Sequence, residues 1–185
     1  LQGKKVGLVG FGAISHAVAK ILDGFECEIS FYDPFVEGDQ GHYHKASLED
    51  VFAKSDIVSL HLPVLECTKG LVTESLLRSM KPTALFINAA RSPIVDCAAL
   101  EAVLNEQAIG GAIIDVLETE PPTEADLTIA RCPNVLLTPH ICGATYEVTD
   151  HQSRILFIGC INLLRCQTSG TWNLPEEIIS MSGSL

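Results

Sequence analysis

Two sets of residues in this chain have types and spacings that could do chemistry. The first is Gly10, Gly12 and Asp33. In "LVGFGAISHAVAK", residues 8–20, Gly10 and Gly12 fill the first two positions of a G-x-G-x-x-G loop, and Ser15 stands at the third. Gly10 permits a tight strand-to-helix turn, and Gly12 lets the backbone approach a pyrophosphate held at the helix N-terminus. The third glycine of such a loop serves helix-to-sheet packing, so Ser15 shifts the helix slightly without closing the site. Asp33 follows Ser15 by 18 residues and ends the second strand, where a carboxylate accepts hydrogen bonds from adenosine ribose hydroxyls. A carboxylate there repels a 2′-phosphate, which favours NAD over NADP. Each feature also has an ordinary reading: a tight turn without a ligand for the glycines, and a turn-forming aspartate before Pro34. S-adenosylmethionine enzymes share the loop and the acid, so this set alone leaves them open.

The second set is Arg91, Glu120 and His140. Each stands just past an apolar run of strand type: Arg91 after "LFINAA", Glu120 after "GAIIDV" and His140 after "NVLLTP". Ligands of open α/β sheets bind outside the carboxyl ends of the strands. A cation, a carboxylate and an imidazole at three equivalent strand ends could therefore converge on one crevice. A lone arginine is usually solvated and a lone histidine usually structural; three complementary groups are harder to dismiss. His42 and His44 in "GHYHK" sit in a polar loop without a carboxylate or thiolate cluster, and no metal is expected.

The elements that must position these groups follow from hydrophobic periodicity. Strand-type runs cover residues 5–10, 28–33, 56–61, 84–89, 111–116 and 134–139, alternating with helical stretches at 13–22, from the Ser47/Asp50 capping pair, at 73–80 and after Asp96. Six strands alternating with helices predict right-handed crossovers and a doubly wound parallel sheet of Rossmann type, in three αβα layers. A long helix is expected from about residue 144 to 165, followed by a tail. Residues 37–45 ("EGDQGHYHK") and 118–126 ("ETEPPTEAD") look like linkers.

A chain of 185 residues with 47% hydrophobic content can bury one ordinary core. The net charge of -11 argues against a nucleic acid or an anionic membrane surface as partner. The seven scattered cysteines form no Cys-x-x-Cys pair and are expected as reduced, buried thiols of a cytoplasmic protein.

The longer motifs carry a more specific signal. "KVGLVGFGAI", "YDPF", "DIVSLHLPVLECTKGLV", "LFINAARSPIVD", "AIIDVLETEPP" and "NVLLTPHICGATYE" occur in this order. Together they resemble the NAD-binding domain of the D-isomer-specific 2-hydroxyacid dehydrogenases, over residues 1–170, with 171–185 as a C-terminal tail. The resemblance implies that Arg91 binds the substrate carboxylate and carbonyl oxygen. It implies that His140 is the catalytic acid–base, that Glu120 pairs with it, and that Asp115 orients the nicotinamide carboxamide. Backbone near Ala13, Ile14, Pro63, Ala89, Ala90 and Gly143 would line the cofactor, with Arg91 and His140 beside it.

The implied reaction is hydride transfer between NAD(H) and a small 2-hydroxy or 2-keto acid. The implied assembly is a homodimer, and a substrate domain is expected outside this chain. An NAD-sensing corepressor of the same fold is the alternative. The sequence departs from the family pattern at Ser15, at Ser92 in place of the glycine after the arginine, and at Cys97 in place of an acid. None of these removes a catalytic group.

Overall fold

A computed structural model of the chain describes residues 1–145 together with Glu147 and Val148. Short β-branched and aliphatic runs become strands: β1 (Lys5–Val9), β2 (Glu28–Tyr32), β4 (Ile57–Leu60), β5 (Leu85–Asn88), β6 (Gly111–Ile114) and β7 (Val135–Leu137), with a two-residue β3 (His44–Lys45). Between them lie α1 (Ala13–Asp23), α2 (Leu48–Lys54), α3 (Glu74–Ser79) and α4 (Cys97–Asn105). All neighbouring strands are parallel, in the order β3-β2-β1-β4-β5-β6-β7. The chain thus builds outward from β1 in one direction, returns, and builds outward in the other. The reversal point between β1 and β4 leaves a crevice at the carboxyl edge, as the doubly wound fold requires.

Alternation along the strands sorts the core into two faces. Val6, Leu8, Ile29 and Phe31 pack with Ala19 of α1, whereas Val9, Val58, Leu60, Phe86 and Ile114 pack with Val51 and Phe52 of α2, Leu77 of α3, and Leu100, Val103 and Leu104 of α4. The starts of α2, α3 and α4 are capped by side chains, at Ser47 and Asp96 as read from the sequence and also at Thr73. Ser47 Oγ accepts from the Asp50 N–H (3.1 Å), Thr73 Oγ1 from Leu76 (3.4 Å) and Asp96 Oδ1 from Ala99 (3.0 Å). The Asp50 carboxylate meets Lys54 at 3.0 Å.

Three expectations change. Residues 37–45 are not a linker. They carry β3, and Tyr43 is 7% exposed, with its hydroxyl donating to Asp23 Oδ2 at 2.7 Å and its ring edge-on to Phe11. Burial and the Asp23 carboxylate push the Tyr43 phenol up to about 12. Two residues are too few to display a strand period, which is why β3 escapes sequence reading. Residues 118–126 are likewise closed on themselves: the hydroxyls of Thr119 and Thr123 both donate to the Asp126 carboxylate and hold it below the usual range. Finally, of the five cysteines among the described residues, Cys132 alone is buried; Cys67 and Cys142 are exposed, because their apolar neighbours lie in loops rather than strands. Cys27, Cys67, Cys97 and Cys132 are free thiols.

The chain divides into a unit Leu1–His140, which holds the sheet, and a unit Ile141–Leu185. In the second unit the Ala144 N–H closes a turn on the Ile141 carbonyl at 3.0 Å. The expected helix over 144–165 and the tail lie, beyond Val148, outside the described residues. Among the described residues no helix is long and apolar enough to cross a membrane, and no group of three His, Cys, Asp or Glu could hold a metal ion.

Candidate active site

The glycine loop joins β1 to α1. Gly10 has φ +88°, a conformation that L side chains rarely adopt, and a Cβ there would stand 2.6 Å from the His61 carbonyl oxygen. Gly12 is the N-cap of α1 and offers no side-chain cap, unlike Ser47, Thr73 and Asp96 on α2, α3 and α4. The first-turn amides of α1, at Ala13 and Ile14, therefore face outward with a positive helix end behind them, which fits an anionic pyrophosphate.

Ser15 is fully buried, and its hydroxyl donates to the Gly10 carbonyl at 2.6 Å. The residue that breaks the glycine pattern thus ties the helix back onto its own loop. Asp33, just past β2, accepts from the Phe11 N–H (2.8 Å, Oδ2) and the Phe35 N–H (2.9 Å, Oδ1). It is both the turn-former before Pro34 and a brace for the loop, and each oxygen keeps a lone pair for a ribose hydroxyl. Phe11 stacks on Phe31 with centroids 3.9 Å apart, which anchors the loop from below.

His61 follows β4 beneath this loop. It is half-buried, its Nε2 lies 3.0 Å from Ser59 Oγ, and burial lowers its pKa to about 4. Pro63 lies two residues on, exposed, with its carbonyl accepting from Thr68 Oγ1 at 2.8 Å.

Arg91, Glu120 and His140 stand beyond three adjacent strands, β5, β6 and β7. His140 Nδ1 and Glu120 Oε1 are 2.5 Å apart, with the histidine side chain 39% exposed. His140 also has φ +54°, a left-handed setting uncommon outside glycine and of the kind that clusters at functional sites. The pair lies in a cleft of about 450 Å³ that also takes in Asp115 and Thr138, with Leu117 and Leu137 as apolar wall. Asp115 is 2% exposed and accepts from the Thr138 hydroxyl at 2.5 Å.

Arg91 does not line that cleft; its Nη1 donates to the Ala90 carbonyl at 2.6 Å. Its backbone is set by Asn88, which is 3% exposed. Asn88 Nδ2 donates to the Arg91 carbonyl (3.2 Å), and Asn88 Oδ1 accepts from the Ala90 N–H (3.1 Å). Ala89 and Ala90 are the turn between them. Gly143 lies in the second unit, on an exposed turn.

Residues 1–142 match the family model described as D-isomer specific 2-hydroxyacid dehydrogenase, NAD binding domain. The chain belongs to the D-isomer-specific 2-hydroxyacid dehydrogenases. Its members include a glyoxylate reductase of Thermofilum pendens, 41% identical over 89% of this chain and 50% of the relative. Solved structures agree. An acyclic imino acid reductase in complex with NADPH and D-Arg superposes with TM-score 0.82 at 31% identity, over 89% of this chain and 52% of that one. The D-lactate dehydrogenase of Lactobacillus jensenii with NAD+ superposes with TM-score 0.77 at 31% identity, over 86% and 52%. The chain spans about half the length of these relatives.

Within this dehydrogenase domain, Asn88, Thr138 and His61 are the residues that spacing did not single out. Asn88 had a signal, a polar side chain ending the apolar run "LFIN". Thr138 had none, since its partner Asp115 is 23 residues away.

Proposed function

We propose that the protein is an NAD(H)-dependent oxidoreductase of small 2-hydroxy and 2-keto acids, in which this chain supplies the nucleotide site and the groups Arg91, Glu120 and His140. The observation that carries the reading is the 2.5 Å contact between His140 Nδ1 and Glu120 Oε1 at the edge of the cleft. Glu120 on Nδ1 fixes the tautomer and leaves Nε2 to face the substrate. As imidazolium, His140 gives the Nε2 proton to the oxygen of the developing alkoxide, and in the oxidation direction it takes that proton back. The hydride for the carbonyl carbon is what the cofactor supplies when bound. Arg91 swings its fork from the Ala90 carbonyl to the substrate carboxylate, holding it bidentately and polarising the neighbouring carbonyl. Asp115, oriented by Thr138, accepts from the carboxamide of the nicotinamide.

Gly10, Gly12 and the amides of Ala13 and Ile14 hold the pyrophosphate. Asp33 binds the adenosine ribose and excludes a 2′-phosphate, so NAD is preferred to NADP. Backbone at Pro63, Ala89 and Ala90 lines the remainder. Ile14 and Ile21, 68% and 67% exposed and two turns apart on α1, support a homodimer built on this domain. Scattered thiols without Cys-x-x-Cys pairing support a cytoplasmic home.

The test is His140→Ala in the full-length protein, assayed with glyoxylate. Turnover is expected to fall about a thousandfold, the scale of a lost general acid. NADH affinity is expected to stay within about threefold. Turnover within tenfold of wild type would remove His140 from the proton transfer.

A further inference from the structure

Ser92 and Cys97, at which the arginine motif departs from the family pattern, are brought into contact by the fold. Ser92 is 5% exposed, and its hydroxyl lies 3.4 Å from Cys97 Sγ; the thiol donates to the Val95 carbonyl at 3.7 Å. A thiol has one proton, so with that proton on Val95 the Ser92 hydroxyl is the donor to sulfur. This relay spans the 3₁₀ turn Ser92–Ile94, which starts immediately after Arg91 and closes through the Val95 N–H on the Ser92 carbonyl at 3.0 Å.

The far side of the turn is pinned to a separate segment. The Gly70 N–H donates to the Pro93 carbonyl (2.9 Å), the Val72 N–H to Ile94 (3.0 Å) and the Asp96 N–H to Val72 (3.0 Å). The near side is held by Asn88 through the Ala90 N–H and the Arg91 carbonyl. Arg91 therefore sits between two anchored points, with the hydroxyl–thiol contact as the link from its own turn to the first residue of α4. A cavity of about 130 Å³ opens beside this link, lined by Asn88, Ser92, Cys97 and Glu101 among others. The turn has room to relax into that space when the contact is lost.

We propose that the Ser92 hydroxyl and the Cys97 thiol form a positioning pair that sets the backbone at Arg91 and so aims its guanidinium at the substrate carboxylate. The inference rests on the reading of Arg91 as that clamp. A glycine at position 92 would leave the turn free to sample other settings; a tethered serine narrows them. The two departures are then one coupled feature, and each side chain works through the other.

The experiment is a double-mutant cycle in the full-length protein loaded with NADH, using oxamate as the 2-keto acid mimic and nicotinamide fluorescence as the readout. Ser92→Ala and Cys97→Ala should each weaken oxamate binding about fivefold, the scale of one hydrogen bond. The double variant should be no weaker than either single, and Cys97→Ser should return close to wild type. NADH affinity should hold in all four. Arg91→Lys, measured alongside, should abolish most oxamate binding because it removes the planar fork. Unchanged or simply multiplied effects at positions 92 and 97, or an equal loss of NADH affinity, would overturn the pair while Arg91→Lys still upheld the clamp. Oxamate binding that is absent in wild type, or indifferent to Arg91→Lys, would overturn the clamp and the pair together.

Discussion

Around β1 and β2 the crevice is made of backbone, and around β5 to β7 it is made of side chains. On the first side, Gly10 and the uncapped start of α1 present amides, braced by Asp33 on the Phe11 N–H and by Ser15 on the Gly10 carbonyl. Both braces lie between β1 and Asp33 at the end of β2, and the loop rests on stacked Phe11 and Phe31. On the second side, Arg91, Glu120 and His140 are exposed groups set by other side chains: Asn88 for the Arg91 turn and Glu120 for His140, with Thr138 likewise setting Asp115. A dinucleotide needs a rigid, shape-fitting cradle. A reacting carbonyl needs groups that can approach and exchange protons. In the proposed function, the same sheet edge meets both demands by changing what it offers along its width.

If the nucleotide half is backbone-built, it should break hardest where backbone is forced. Gly10→Ala combines a left-handed φ with a Cβ 2.6 Å from the His61 carbonyl. A cost of about 3 kcal/mol in stability is expected, with NADH binding lost, by denaturant melts and fluorescence titration. A fully stable Gly10→Ala variant would show that the loop is looser than the crevice requires.

His61 lies on the seam between the halves and gives a pH signature. Its folded pKa is about 4, against 6.5 for an unperturbed histidine. The unfolded chain binds this proton across that interval and the folded chain does not, so stability falls as pH drops from about 6.5 towards 4. The loss reaches up to about 3 kcal/mol. His61→Gln should flatten that part of the stability profile, measured by urea melts at a series of pH values; an unchanged slope would assign the acid loss elsewhere.

The smallest expected effect belongs to Ser15. Its hydroxyl is satisfied within the loop, so Ser15→Gly should leave NADH affinity within about threefold. A tenfold gain in NADH affinity would mark the natural loop as impaired.

The same contrast decides what was legible in the sequence. The glycine loop, Asp33, the Ser47 and Asp96 caps and six of the seven strands are local patterns, and local patterns are readable because a few neighbouring residues determine them. That Arg91, Glu120 and His140 share one sheet edge was readable too, from their places after successive strands. Of their contacts, only the Glu120–His140 pair was expected, and that from the family resemblance rather than from spacing. Nothing in the spacing of "NAARS" reports that Asn88 folds back on Arg91, or that Ser92 reaches Cys97. β3 was hidden by its two-residue length. The anchoring of residues 37–45 was hidden because Tyr43 packs against Phe11, far away in sequence.

In the proposed function, the β1–β2 half forms a dinucleotide site of its own, selective through Asp33. Its most direct test is a titration of this chain with NADH and with NADPH, followed by nicotinamide fluorescence, in wild type and in Asp33→Ala. Saturable NADH binding is predicted, with NADPH at least about tenfold weaker because its 2′-phosphate meets the Asp33 carboxylate, and with the gap narrowed in Asp33→Ala. No saturable NADH binding, or NADPH bound as well as NADH by wild type, would contradict it.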